Sequence, residues 1–92
     1  MNMKAKGSRR ERQSAKLLEA CGYRVTKSAA SLGCWDLVGI APDGFVLVQC
    51  KSNRPPCPAE RETLAMFQVP SNCRKLIYIW HDRKRLPQVI EL

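Results

Sequence analysis

Two strand-like runs, residues 35–40 and 45–51, flank the turn text Ala41-Pro42-Asp43-Gly44, and this hairpin constrains the fold more than any other feature. Proline presets φ in such a turn and glycine supplies the reversal. The second run is rich in valine, which fits a pleated surface, and its apolar content predicts a central place in the sheet. Ahead of the hairpin, Ser8-Arg9-Arg10-Glu11 has the form of a capping box opening a helix. Ala15, Leu18 and Cys21 follow at helical spacing with Leu17 beside them, and Gly22 is a natural stop. Residues 23–27 alternate as a strand, and residues 28–33 read as a turn or close-approach loop. Past the hairpin, residues 52–58 carry three prolines and form a loop. Residues 59–67 predict a second helix with Leu64 and Phe67 facing inward. Residues 75–80 predict a fourth strand, with Leu76, Tyr78 and Trp80 on one face and Ile77 and Ile79 on the other. Residues 89–92 suit a last edge strand. The order α-β-β-β-α-β places the chain in the α/β class, as a mixed sheet flanked by helices.

The 92 residues make one domain, 1–92, whose residues 1–7 are expected to be a basic flexible arm. A chain this short buries a smaller share of its surface than a typical domain, and pairing into a homodimer would relieve that. Sixteen basic residues face eight acidic ones, a net charge of +8. That field draws polyanions, nucleic acid ahead of anionic membrane. No apolar run approaches the roughly 20 residues of a spanning helix, and residues 1–6 lack the apolar stretch of a signal peptide. Five cysteines, at 21, 34, 50, 57 and 73, are odd in number and never spaced CxxC. They argue against a disulfide framework and for a reducing, cytoplasmic home. Cys21 and Cys50 are expected to behave as small buried apolar residues; a zinc site would have to combine scattered cysteines with the lone His81.

Three features carry chemistry. Asp36 is a carboxylate inside an otherwise apolar strand, where aspartate is disfavoured and costly to bury alone. A bound metal would explain it, and so would an exposed strand end. Gln49 and Lys51 close the third strand; being two apart, they project to one face while Val46, Val48 and Cys50 take the other. A polar acceptor beside an ammonium suits hydrolysis, the first holding a cation, the second orienting water and offsetting charge. Glu11 lies among Arg9, Arg10 and Arg12; it either completes the capping box or turns inward to a metal. The hairpin register is open. A two-residue loop at Asp43-Gly44 sets Asp36 across from Lys51, a three-residue loop pairs Ala41 with Phe45, and a bulge could restore convergence.

Glutamate on a first helix, then aspartate, then (E/Q)-x-K after a glycine turn resembles the PD-(D/E)XK nuclease superfamily. The closer resemblance is to archaeal and phage-type Holliday junction resolvases. It rests on Gly7-Ser8-Arg9-Arg10-Glu11-Arg12, on Lys27-Ser28-Ala29-Ala30-Ser31 and on Asp36-Leu37-Val38, and spans roughly residues 7 to 52. The resemblance implies a restriction-endonuclease-like fold. It implies a metal-dependent DNA endonuclease, prokaryotic or phage-encoded, that resolves four-way junctions as a homodimer. It implies catalysis by Glu11, Asp36, Gln49 and Lys51, with Mg²⁺ (or Mn²⁺) held by Asp36, Gln49, the Cys50 backbone carbonyl and Glu11. A restriction-like or virus-type repair nuclease, or a catalytically silent DNA-binding module, is the alternative. Gln49 departs from the usual glutamate; its carbonyl oxygen remains a ligand but carries no charge. Lys4, Lys6, Arg9, Arg10, Arg12 and Lys16 form the densest basic cluster, with Arg24, Lys27, Ser28 and Arg54 near the proposed site, and together they are expected to grip DNA. Arg83-Lys84-Arg85 is a second patch or a solvated turn.

Overall fold

The computed structural model describes residues 3–28 and 33–92, with side chains from residue 9 onward. In chain order the elements are α1 (Met3–Ala20), β1 (Arg24–Lys27), β2 (Leu37–Ala41), β3 (Gly44–Ser52), α2 (Pro58–Met66), β4 (Cys73–Trp80) and β5 (Gln88–Glu91). The five strands form one mixed sheet in the order β1-β2-β3-β4-β5. The first three are an antiparallel meander; β4 runs parallel to β3, and β5 returns antiparallel. The parallel pair requires a crossover, which α2 supplies. The valine-rich β3 occupies the centre, as its composition predicts.

Alternation along the strands divides the core into two layers. Leu18 of α1 packs with Leu37, Val46, Val48, Leu76, Tyr78 and Trp80 on one face. Leu64 of α2 packs with Trp35, Leu47, Ile77 and Ile79 on the other. The predicted split of β4 between Leu76, Tyr78, Trp80 and Ile77, Ile79 matches this division. A nine-residue helix such as α2 is marginal alone. Fully buried Leu64 anchors it, and the Lys75 ammonium donates to the carbonyls of Leu64, Ala65 and Phe67 at its C-terminal end. Those are the acceptors a helix end leaves unsatisfied. Phe67 meets Trp35 edge-on at 5.8 Å between centroids.

Three local expectations are corrected. Helix α1 starts at Met3, so most of the segment expected as an arm is helical. Met3, Lys4, Ala5 and Lys6 are good helix formers, enough to carry the helix through Gly7. Ser8 therefore lies inside the helix and opens no capping box. Cys21 is exposed just past the helix end, where the apolar stripe has already left the sheet. The hairpin follows neither proposed register. Ala41 pairs with Gly44, leaving Pro42-Asp43 as the two-residue loop. Glycine is required at 44, since a Cβ there would fall 2.1 Å from the Asn72 carbonyl oxygen.

Candidate active site

The sequence-predicted residues gather at the C-terminal end of β3. Asp36 stands just before β2, and its N–H donates to the Val48 carbonyl at 2.9 Å although Val48 already pairs with Leu37. Two consecutive residues oppose one, the arrangement of a β-bulge, which re-aims a side chain at a strand end. The Asp36 carbonyl accepts the Ser28 N–H at 2.9 Å. Its carboxylate reaches across to β3, where Oδ2 accepts the Cys50 backbone N–H at 2.7 Å. Burial pushes the Asp36 carboxyl above its usual range; the Cys50 N–H and the Lys51 charge oppose that rise and Glu60 adds to it. Asp36 is thus a fixed, partly desolvated acid held in a form that water would favour more than the protein does.

Gln49 and Lys51 share the face of β3 that α2 covers. Gln49 is 5% exposed. Its Nε2 donates to the Cys34 carbonyl at 3.3 Å, which ties it to the segment that carries Asp36. Its Oε1 is buried and has no partner among the described residues, a condition that costs about 1–3 kcal/mol in a protein interior. Lys51 Nζ contacts Glu60 Oε1 of α2 at 2.6 Å. Cys50 points the other way, and its thiol donates to Ser14 Oγ at 3.3 Å. Burial pushes that thiol up to about 12; the Ser14 bond lowers it, and the charges of Asp36 and Glu11 add to the rise. Cys50 is therefore no nucleophile at neutral pH.

Glu11 approaches from α1. Its Oε1 lies 3.9 Å from Lys27 Nζ, and it lines a cleft of about 180 Å³ with Arg12, Ala15, Val25, Thr26, Lys27 and Leu37. Asp36, Gln49 and Lys51 are brought together, while Glu11 flanks them across Cys50, where its field and that of Asp36 meet.

Of the expected DNA contacts, Arg9, Arg12, Lys16, Arg24, Lys27 and Arg54 are exposed, as are Arg83, Lys84 and Arg85. The Ser28 N–H is committed to Asp36. The side chains of Lys4 and Lys6 lie outside the described residues. Arg10 departs from the expectation. It is 9% exposed, sits over Trp80 at 5.6 Å, and pairs with Asp82 at 3.2 Å, so its charge is spent inside the protein.

Sequence reasoning missed Glu60. Its signal was topological: a crossover from β3 into α2 sets the first turn of α2 beside the C-terminal end of β3. Glu60 is the acidic residue of that turn.

A divalent cation fits the donors present here. Among the described residues no three His, Cys, Asp or Glu side chains converge on one point. The donors are instead a carboxylate raised by desolvation and an amide oxygen left without a partner. Both conditions are relieved by an oxygen-seeking cation such as Mg²⁺, which takes few protein ligands and keeps several waters.

A sequence model of the family described as archaeal Holliday junction resolvase (hjc) matches residues 2–80. Among solved structures, Archaeoglobus fulgidus Hjc, a Holliday junction resolvase from an archaeal hyperthermophile, superposes with a TM-score of 0.71. The match covers 90% of this chain and 73% of that one, at 19% identity, a likeness of fold. No curated protein matches in sequence.

Proposed function

The chain belongs to the archaeal Holliday junction resolvase family, a family of junction-resolving endonucleases, and from that premise we propose that it cuts DNA by metal-dependent chemistry of the PD-(D/E)XK type. The observation that carries this reading is a desolvated carboxylate, Asp36, fixed on the Cys50 N–H, next in sequence to Gln49, whose buried Oε1 has no partner among the described residues. Asp36, Gln49 and the Cys50 backbone carbonyl would hold the cation, with Glu11 contributing from α1. A bound divalent cation supplies Lewis-acid stabilisation of charge on the phosphate.

The chain's own residues do the rest. The bulge at Asp36 and the Cys50 N–H hold the carboxylate in a single orientation, so no reorganisation is needed at the moment of reaction. The Lys51 ammonium, held on the same face, orients the attacking water and offsets the charge that develops on the phosphate oxygens. Arg9, Arg12, Lys16, Arg24, Lys27 and Arg54 contact phosphates, which positions the substrate without reading its sequence. Two copies of the domain would place two such centres on paired strands, as symmetric cleavage of a junction requires.

The decisive experiment incubates the protein with a synthetic four-way junction in EDTA, Mg²⁺ or Mn²⁺. Paired, symmetric nicks that need the metal are expected, with linear duplex of the same sequence cut far more slowly. Junction binding without cleavage in any divalent metal would overturn the reading and favour a silent binding module.

A further inference from the structure

We propose that Glu60 belongs to the active centre, where it fixes the Lys51 ammonium and supplies the negative charge that Gln49 leaves out. The inference rests on the reading of Asp36, Gln49 and Lys51 as that centre.

The geometry comes first. Glu60 occupies the first turn of α2 behind Pro58, a position where the helix dipole favours an acid. A first-turn acid is often no more than that. Here the side chain is turned to Lys51, with Oε1 at 2.6 Å from Nζ. The N-cap, Cys57, makes no side-chain capping bond, so α2 spends no side chain of its own on a cap there. The charge of Glu60 also reaches Asp36. Lys51 is two residues past the buried, unpartnered Oε1 of Gln49. Glu60, Lys51 and Asp36 are therefore one electrostatic unit, with Gln49 on the same face of β3 as Lys51.

Charge makes the case. With glutamate at position 49, the usual pattern would sum Asp36, residue 49 and Lys51 to −1 − 1 + 1 = −1. With Gln49 the same three sum to −1 + 0 + 1 = 0, so the strand-borne residues offer a divalent cation no net charge and only Glu11, across Cys50, adds one. Adding Glu60 returns the sum to −1. A carboxylate on the crossover helix thus stands in for the one missing from the strand, and it also keeps the Lys51 charge from opposing the cation.

The test is Mn²⁺ binding to the metal-free protein, read by electron paramagnetic resonance, beside single-turnover cleavage of a four-way junction. Thermal melts first establish that each variant folds. Glu60→Gln removes the charge at nearly constant shape, and Mn²⁺ affinity should fall about tenfold, as for other residues that support metal ligands. Adding Gln49→Glu to Glu60→Gln restores the sum to −1, and affinity should return to within about threefold of the wild type, with cleavage recovering in parallel. Unchanged Mn²⁺ affinity in folded Glu60→Gln, or no recovery in the double variant, would overturn the role of Glu60. Loss of Mn²⁺ binding and cleavage in the wild type itself would instead overturn the metal-nuclease reading on which the proposal stands.

Discussion

The two faces of β3 end in polar clusters built to opposite rules. On the α1 face, Ser14 is fully buried and its hydroxyl is saturated. It donates to the Arg10 carbonyl at 2.8 Å and accepts from Trp80 Nε1 at 2.8 Å and from the Cys50 thiol at 3.3 Å. That uses its one donor and both acceptor positions. Asp82 accepts from Arg10 and from Asn53, and its N–H donates to Asn53 Oδ1 at 2.9 Å. This cluster pins the end of β3 and the turn after β4 to helix α1. On the α2 face, Gln49 Oε1 has no partner and Asp36 is held desolvated. Groups that face an interior without partners reduce stability, and proteins accept that cost where chemistry needs it. The comparison teaches that polarity at a strand end is not itself a functional sign. Unfinished hydrogen bonding is not by itself the sign either, since Arg10 Nε in the first cluster and Trp35 Nε1 are also buried without a partner among the described residues. What sets the α2 face apart is an acceptor oxygen left open near a desolvated carboxylate and an ammonium.

The largest contrast lies in cleavage. Asp36→Asn or Lys51→Ala should slow junction cutting by about a thousandfold or more, because each removes a group that acts on the reacting phosphate. Junction affinity should stay close to that of the wild type, since phosphate contacts lie elsewhere. Single-turnover cleavage and electrophoretic binding assays, run side by side, check both halves. A variant that cuts normally would remove its residue from the centre.

Ser14→Ala should invert that pattern. It leaves Trp80 Nε1 buried without an acceptor and frees the Cys50 thiol, so it should cost about 1–3 kcal/mol in stability. For a domain of this size each kcal/mol lowers the Tm by roughly 4–8 °C. Cleavage per folded molecule should be nearly unchanged. If Ser14→Ala instead abolished cutting in a protein with an unaltered melt, the division between the two faces would fail.

Much of this was legible in the sequence, for particular reasons. The hairpin, the crossover and the facing of β4 follow from period-two alternation and turn chemistry, and they appear as expected. The pairing of Gln49 with Lys51 follows from strand parity alone. The register did not follow. It is set by Gly44 closing against the Asn72 carbonyl and by the bulge at Asp36, and both are contacts between segments far apart in the chain. Arg10 was misjudged for the same reason. Among the described basic side chains Arg9, Arg10, Arg12 and Lys16, only packing against Trp80 and Asp82 distinguishes the one that is buried. Glu60 was missed because an ion pair with Lys51 leaves no trace in local text.

Arg10 and its neighbours give a smaller, sharper test. Arg9→Ala or Arg12→Ala removes an exposed cation, and the slope of log affinity against log salt should flatten by about one unit for each lost phosphate contact. Arg10→Ala should leave the slope alone and lower the Tm, since its guanidinium is engaged within the fold. Junction titrations at several salt concentrations decide between the two. Equal slopes for Arg9→Ala and Arg10→Ala would put Arg10 back among the DNA contacts.

The smallest effect is a gain in stability, and it tests the α2 face most directly. Asp36 titrates above its ordinary range in the folded protein, chiefly through burial. The unfolded chain therefore ionises more readily than the folded one, and at neutral pH the charged carboxylate opposes folding. Asp36→Asn removes the charge and keeps an oxygen for the Cys50 N–H, so in EDTA at pH 7 the variant should melt above the wild type. As the pH falls through the raised pKa toward the ordinary value of 3.8, the wild-type carboxyl takes up its proton in both states. The penalty then vanishes, and the two melting curves should converge. Mn²⁺ should close the same gap at neutral pH, by stabilising the wild type and not the variant. A gap that persists in acid would mean that Asp36→Asn acts through packing, and the acid would then be no more strained than the groups around Ser14.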